Sequence, residues 1–325
     1  MPVPLLSGDP LVEETVLVTG GCGFVGQRMV SSLKADGHSV RVLDIPRADF
    51  TRVIDMGAKV LEGSVVDGES VRVALGASRV VYHMAAPAIA IRDERFIRKM
   101  VVAGAEVLME EAEDSRVEHV VAASTTGVYA RTDDAHSEDS RLKPGNRLER
   151  AKLDMERALE KAARRTGVGV TVLRLPNVYG VGDGGIVDRL VPEVVYEGTV
   201  ILPERGWVSC VHVDDVVDAS RRLASSARAS DEDEGVFRVW NCVDDQAYST
   251  RDLLRTIARL ADASMPQLRS PGLTSSSKGR WAIRDRCVRL VERGRSSNAA
   301  LKEELEGWPG WPSLEDGLPG ELGTG

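Results

Sequence analysis

The sequence predicts an α/β fold: a Rossmann-type doubly wound parallel sheet with a smaller C-terminal α/β lobe. Three observations carry this. A β-branched apolar run turns through glycines into an amphipathic helix within Thr15–Leu33; short apolar runs recur at 59–62, 79–84, 118–123 and 169–175; and segments of helical period separate most of them.

The first unit reads as strand, tight turn, helix. Val16, Leu17 and Val18 suit a strand buried on both faces, whereas Phe24, Val25, Met29, Val30 and Leu33 recur at helical period. Between them, Gly21-x-Gly23-x-x-Gly26 meets the dinucleotide fingerprint, and Thr19-Gly20-x-x-Gly23-x-x-Gly26 meets its wider-spaced variant. Glycine permits the sharp turn, lets backbone N–H groups approach a pyrophosphate and lets the helix pack close to the strand. Steric demand alone also places glycine in such turns, so the surroundings matter. Eighteen residues after Gly26 a second strand ends in Asp44, where a ribose-binding acid is expected. Gly20, Gly23, Phe24, Val25, Gly26 and Asp44 are therefore the expected cofactor-binding residues of this unit. A carboxylate at 44 accepts hydrogen bonds from the 2′-OH of NAD(H) and repels the 2′-phosphate of NADP(H), which favours NAD(H); Arg47 leaves NADP(H) open.

Composition bounds the rest. With 325 residues, 42% of them hydrophobic, the chain can bury a large α/β domain and a smaller lobe. Cys22, Cys210, Cys242 and Cys287 lack metal-type spacing, so no metal site is expected and a reducing cytoplasm is. The N-terminus shows no basic region followed by an apolar stretch, and no apolar run approaches a membrane span. A net charge of −8 argues against general nucleic-acid binding. The expected partner is a small-molecule substrate, with a homodimer left open.

In chain order, residues 1–14 read as a loose leader, 15–180 as the dinucleotide-binding domain to which later segments return, 181–318 as mainly a substrate-binding lobe, and 319–325 as a fraying tail. Residues 91–113 and 146–165 form long helical segments. The lobe begins with a four-glycine loop, a helix over 186–197 and a short strand over 200–202; 227–235 is an acidic loop and 237–241 a returning strand. The stretch 267–278, with Pro, Gly and four serines, reads as loop, followed by helices near 281–292 and 298–305.

Five motifs in order, VLVTGGCGFVG, VVYHMAAPA, VVAASTTGVYA, LRLPNVYG and CVHVDDVVDA, resemble the extended short-chain dehydrogenase/reductases, the NAD-dependent epimerase/dehydratase family, over about Thr15–Leu318. The resemblance implies that Ala85 and Ala86 line the pyrophosphate and Pro176 leans on the nicotinamide. It also implies that the Thr125 hydroxyl bonds the reacting oxygen and that Lys152 is the lysine of the family's Tyr-x-x-x-Lys pair, bonding the nicotinamide ribose. Thr125 and Lys152 are thus the expected catalytic residues.

Several positions depart from the family pattern. In an ungapped run from Glu138 to Lys152 the tyrosine position is Leu148, which has no ionisable proton; Glu149 beside it is expected to pair with Lys152. Val101 stands where many members keep an Asn, and Ser64 replaces an adenine-binding acid, leaving Val65 as a backbone contact. Val208, next to Trp207, replaces the arginine that grips a nucleotide-sugar diphosphate, and a buried diphosphate without its cation is costly. Tyr82, Tyr129 and Tyr179 are expected to pack, His136 to be solvated on a loop and His212 to be structural. The expected activity is an atypical NAD(P)-dependent ketoreductase or dehydrogenase acting on a non-nucleotide, aromatic or polycyclic molecule. Its proton would come from substrate or water. The alternatives are a non-catalytic NAD(P)-binding protein and, less favoured, a nucleotide-sugar epimerase or dehydratase.

Overall fold

In chain order the apolar runs become β1 (Thr15–Thr19), β2 (Ser39–Asp44), β3 (Lys59–Glu62), β4 (Val80–His83) and β5 (His119–Thr125), then the short β6 (Ala135–His136) and β7 (Gly169–Leu175). They are followed by β8 (Asn177–Tyr179), β9 (Thr199–Ile201), β10 (Trp207–His212), β11 (Phe237–Asn241), β12 (Ala247–Ser249), β13 (Gln267–Arg269) and β14 (Arg295–Ser296). The structure is a computed structural model and describes residues 14–87, 91, 93–229, 236–270, 291 and 294–322. Seven strands form one sheet in the order β11-β7-β5-β4-β1-β2-β3, every pair parallel. The order reverses at β1, so β1 and β4 flank a crevice at their carboxyl ends, where such sheets bind ligands.

The helices are α1 (Phe24–Ala35), α2 (Thr51–Asp55), α3 (Gly68–Leu75), α4 (Glu94–Arg98), α5 (Gly104–Glu113), α6 (Arg147–Thr166), α7 (Val213–Ala229), α8 (Thr250–Leu260), α9 (Ala299–Glu304) and α10 (Leu314–Glu321). Strand side chains alternate between the two faces, and each face has its own core. Leu17, Val81, Val120 and Val172 pack with Leu108 and Met109 of α5 and Met155 and Leu159 of α6. On the other face Val16, Val18, Val42 and Leu173 meet Met29 and Leu33 of α1 and Val216 and Leu223 of α7. A third core joins Tyr179, Leu190, Val208 and Tyr248 to Leu254, Leu314 and Leu318, around the small sheet β12-β10-β8.

Helix α6 carries the residues of greatest interest, and its ends are fixed locally. Asn146 accepts from the Glu149 backbone N–H while Glu149 reaches back to the Asn146 N–H, a capping box; Gly167, at φ 76°, ends the helix in the left-handed region. Between α4 and α5 the chain winds as a π-helical turn, Lys99–Ala103, with Val101 buried inside it.

Three expectations about loose segments are corrected. Gln267–Arg269, expected in a loop, is β13, paired in parallel with β9. The start of the C-terminal tail, expected to fray from 319, instead continues α10 to Glu321. Glu14, placed in the leader, is tied to Arg228 by a two-pronged ion pair. The acidic loop is shorter than expected at its start, since α7 continues to Ala229. Residues 1–13, most of the acidic loop, Cys287, the helix expected near 281–292 and residues 323–325 lie outside the described residues.

Candidate functional site

The glycine turn has the shape a dinucleotide requires. Gly20 lies at φ 68°, and a methyl on it would stand 2.7 Å from the Ala85 Cα, so the exit of β4 presses directly on the turn. A methyl on Gly26 would lie 2.1 Å from the Gly20 carbonyl oxygen. Gly23 is exposed and is the N-cap of α1, with no side-chain cap and no acidic residue in the first turn. The first N–H groups of α1, at Phe24 and Val25, thus keep their positive end for an anion. Asp44, at the end of β2, accepts from the backbone N–H of Cys22 at 3.0 Å and of Ile45 at 2.8 Å. Each carboxylate oxygen carries a further lone pair, enough for a ribose diol. The Cys22 thiol beside it is pushed up to about 12, by burial first and then by Asp44.

The expected site residues share the carboxyl edge of the sheet. Gly20 follows β1, Asp44 ends β2, Ala85 and Ala86 follow β4, Thr125 ends β5 and Pro176 follows β7. Val65 follows β3 at the same edge, its side chain buried and packed near Gly104. Thr125 is half-buried, and its hydroxyl oxygen accepts from the Gly127 N–H at 3.1 Å, leaving its own proton for another acceptor.

Lys152 projects from α6 to the end of β5. Its Nζ donates to the Ala123 carbonyl at 2.6 Å, and the residue is only 6% exposed. Burial pushes its pKa down to about 8, with Glu156 opposing the shift. Leu148, one turn earlier, lies half-buried against the α5–α6 core. Glu149 does not pair with Lys152: its carboxylate accepts from the Gly145 and Asn146 N–H groups at 2.6 and 3.1 Å, as part of the capping box at the start of α6.

Behind the site lies a buried polar network absent from the sequence-based assignment. Arg174 and Glu156 pair at 2.7 Å with side chains only 5% and 4% exposed. Ser124 also donates to Glu156, and Arg174 donates to the Tyr129 hydroxyl at 2.8 Å, which in turn donates to Asn241 Oδ1 at 2.7 Å. The signal available was a charged residue inside the otherwise apolar LRLP strand, with a glutamate one turn beyond Lys152. His136, expected to be solvated, is buried; it stacks on Tyr129 at 4.6 Å and its Nε2 bonds the Ala130 carbonyl at 2.8 Å. The β6–β14 pairing draws it inward.

The two other tyrosines expected to pack are both buried. Tyr82 is buried in β4, and the Tyr179 hydroxyl donates to the Ser313 carbonyl at 3.3 Å. His83 is buried, its Nδ1 2.8 Å from the Thr19 hydroxyl, and burial followed by the Lys152 charge pushes its pKa down to about 3. Val208 is fully buried in the third core, and Trp207 is half-buried with the Arg295 guanidinium 4.8 Å above its ring. Among the described residues no three His, Cys, Asp or Glu side chains converge as metal ligands, and no helix is long and apolar enough to cross a membrane.

Comparison with known proteins adds lineage to this geometry. The chain is 28% identical over 319 residues to a 3-diazoavenalumate denitrifying reductase of a Streptomyces species, covering 93% of this chain and 98% of that protein. It is 26% identical over 183 residues to the 4-hydroxy-2-methyl-3-oxo-4-farnesyl-3,4-dihydroquinoline-1-oxide ketoreductase of Stigmatella aurantiaca, covering 54% of each. Among solved structures, the UDP-glucose 4-epimerase of Thermotoga maritima with UDP-glucose superposes with a TM-score of 0.76 at 25% identity, covering 95% of this chain and 98% of that one. For several other curated relatives the match spans only 56 to 63% of their length. The family model for the NAD dependent epimerase/dehydratase family matches residues 16–242, from the first strand of the large sheet to just past its last. The chain belongs to the NAD dependent epimerase/dehydratase family.

Proposed function

We propose that this protein is an NAD(P)-dependent oxidoreductase that reduces a carbonyl, or oxidises the matching alcohol, on a small non-nucleotide molecule of aromatic or polycyclic character. NAD(H) is the favoured cofactor. The observation that carries the reading is the α6–β5 junction: Lys152 is held at the Ala123 carbonyl and Thr125 stands two residues on, while position 148 is an apolar side chain.

When bound, the nicotinamide supplies or takes up the hydride. The residues of this chain hold the reactants. The turn Gly20–Gly26 and the start of α1 bind the pyrophosphate, Asp44 the adenosine ribose, and Lys152 the nicotinamide ribose. Thr125 donates its hydroxyl proton as a hydrogen bond to the oxygen on which charge develops. Because Leu148 has no proton to give, the proton of the product alcohol comes from the substrate's own acidic hydroxyl or from water. General acid catalysis contributes about 10²–10⁴-fold, whereas holding the reactants in contact contributes about 7–11 kcal/mol, so a site without the tyrosine retains most of its advantage.

Two features support a non-nucleotide substrate. By the sequence resemblance Val208 stands at the position of the family's diphosphate-gripping arginine, its side chain is apolar and buried in the third core, and a curated relative matched over 98% of its length is named as a reductase. The test is consumption of NADH by purified protein with a panel of hydroxylated aromatic ketones, followed by product identification. Silence across a broad panel with tight NADH binding would instead favour a non-catalytic cofactor-binding protein.

A further inference from the structure

The loop leaving β8 is stiff in itself and fastened from outside. Asp188 accepts from the Gly182 and Gly184 N–H groups, each at 3.0 Å, and Asp183 accepts from Gly185 at 2.7 Å and Val187 at 2.9 Å. These bonds tie the segment from Gly182 to Asp188 together. Its outer edge rests on the first turn of α1: a methyl on Gly180 would stand 3.3 Å from the tip of the Phe24 ring, and one on Gly182 3.7 Å from that ring. Phe24 follows Gly23, so this loop lies beside the first residue of α1, where the family's pyrophosphate is expected.

The other fastening is Glu321, at the far end of α10. Its carboxylate accepts from the Val181 N–H and from His212 Nε2 at 3.1 Å, and Arg28 Nη2 of α1 approaches to 3.9 Å. The side chain is 13% exposed. Helix α10 is seated independently of this contact: Gly317 allows it to lie against Tyr179, where a methyl would fall 2.2 Å from the hydroxyl, and Leu314 and Leu318 are buried. One carboxylate thus joins three elements: the β8 loop through Val181, β10 through His212 and α1 through Arg28.

We infer that Glu321 is a positioning residue for the dinucleotide site, holding the β8 loop against Phe24 so that the first turn of α1 keeps the shape that receives the pyrophosphate. The inference rests on the pyrophosphate lying at the N-terminus of α1. Reciprocity follows: if Glu321 steadies the bound state, bound NADH must steady the Glu321 contact.

The experiment combines stopped-flow NADH dissociation with amide exchange at Val181. Glu321→Ala should raise the dissociation rate about 5- to 10-fold, a coupling of ordinary size, while the melting temperature without cofactor stays near that of the wild type. Glu321→Gln, which keeps an acceptor for the Val181 N–H, should recover much of the loss. In the unmodified protein, NADH should slow exchange of the Val181 amide, a measurement that needs no variant. An unchanged dissociation rate in Glu321→Ala, or a Val181 amide whose exchange ignores NADH, overturns the inference. Neither measurement requires ketone reduction, so failure of the proposed chemistry leaves this test intact. Absence of NADH binding to the wild type would overturn the inference and the cofactor assignment together.

Discussion

The ammonium of Lys152 is bonded to the backbone carbonyl of Ala123 at 2.6 Å, inside the protein and one helical turn beyond Leu148. A lysine held there without a facing carboxylate bond is under electrostatic pressure to lose its proton, and its pKa is pushed from 10.5 down to about 8 by burial, against the opposing pull of Glu156. Between those two values the unfolded chain binds a proton that the folded chain does not. Stability contributed by this group therefore rises as pH increases through the window from about 8 to 10.5, by up to about 1.4 kcal/mol per pH unit. Urea unfolding across that window, wild type minus Lys152→Met, should show the rise only in the wild type. The same variant should bind NADH more weakly.

Within the glycine turn, Gly23 is the position where substitution should act chiefly on binding, because a side chain at Gly20 or Gly26 would collide with backbone. Gly23→Val inserts a side chain at the exposed N-cap of α1, and calorimetric titration should show NADH binding abolished. The wild type should bind NADH more tightly than NADPH, and Asp44→Ser should narrow that preference by removing the repulsion of the 2′-phosphate. Tighter NADPH binding by the wild type would make Arg47 the residue to examine.

Thr125→Val removes the hydroxyl but keeps the shape of the side chain. Turnover should fall by roughly 10²-fold or more, with NADH affinity unchanged, as for loss of a donor aimed at developing charge. Steady-state rates on any ketone that the wild type reduces decide the matter, and full activity in the variant would remove Thr125 from the mechanism. Methylating the substrate's acidic hydroxyl should slow the wild type more than Leu148→Tyr.

UDP-glucose should not stabilise the protein in a thermal-shift assay with NADH present if Val208, apolar and fully buried, holds the sequence position of the family's diphosphate-gripping arginine as the resemblance implies. A clear upward shift would direct attention to Arg205.

The buried Arg174–Glu156 pair should dominate local stability. Glu156→Gln leaves the guanidinium of Arg174 without its charge partner in a buried site, so denaturant unfolding should report a loss of about 3–5 kcal/mol. Removal of Arg174 should cost a similar amount, and the double substitution less than the sum.

Much of this was legible in the chain because local chemistry and fold agree there. The runs that became β5 and β7 carry β-branched residues in buried strands, and the glycines of the first turn are required by contacts as close as 2.1 Å. What escaped was decided by tertiary partners. Gln267–Arg269 has no strand-like composition and is extended because β9 offers it a free edge. His136 looks solvated in sequence, yet the Tyr129 ring and the Ala130 carbonyl give it a buried seat. Glu149 was expected to face Lys152 by spacing, but the N–H groups at the start of α6 outbid the lysine because capping satisfies donors that otherwise have no partner. The Gly- and Pro-containing tail becomes helical because Leu314 and Leu318 find a core to enter.

The place of β11 bears on the order in which the protein can be made. This strand pairs with β7 along its whole length, and β7 is buried at every one of its seven residues. During synthesis β7 emerges more than sixty residues before β11, so the nascent sheet presents an apolar, unpaired border until Phe237–Asn241 has left the ribosome. An unpaired apolar edge is the feature that recruits other strands. Chains released before residue 237 are therefore expected to aggregate rather than to act as smaller working domains, and the large sheet is complete once the lobe segments from β8 to β10 have been translated and while those from β12 to α10 have still to follow.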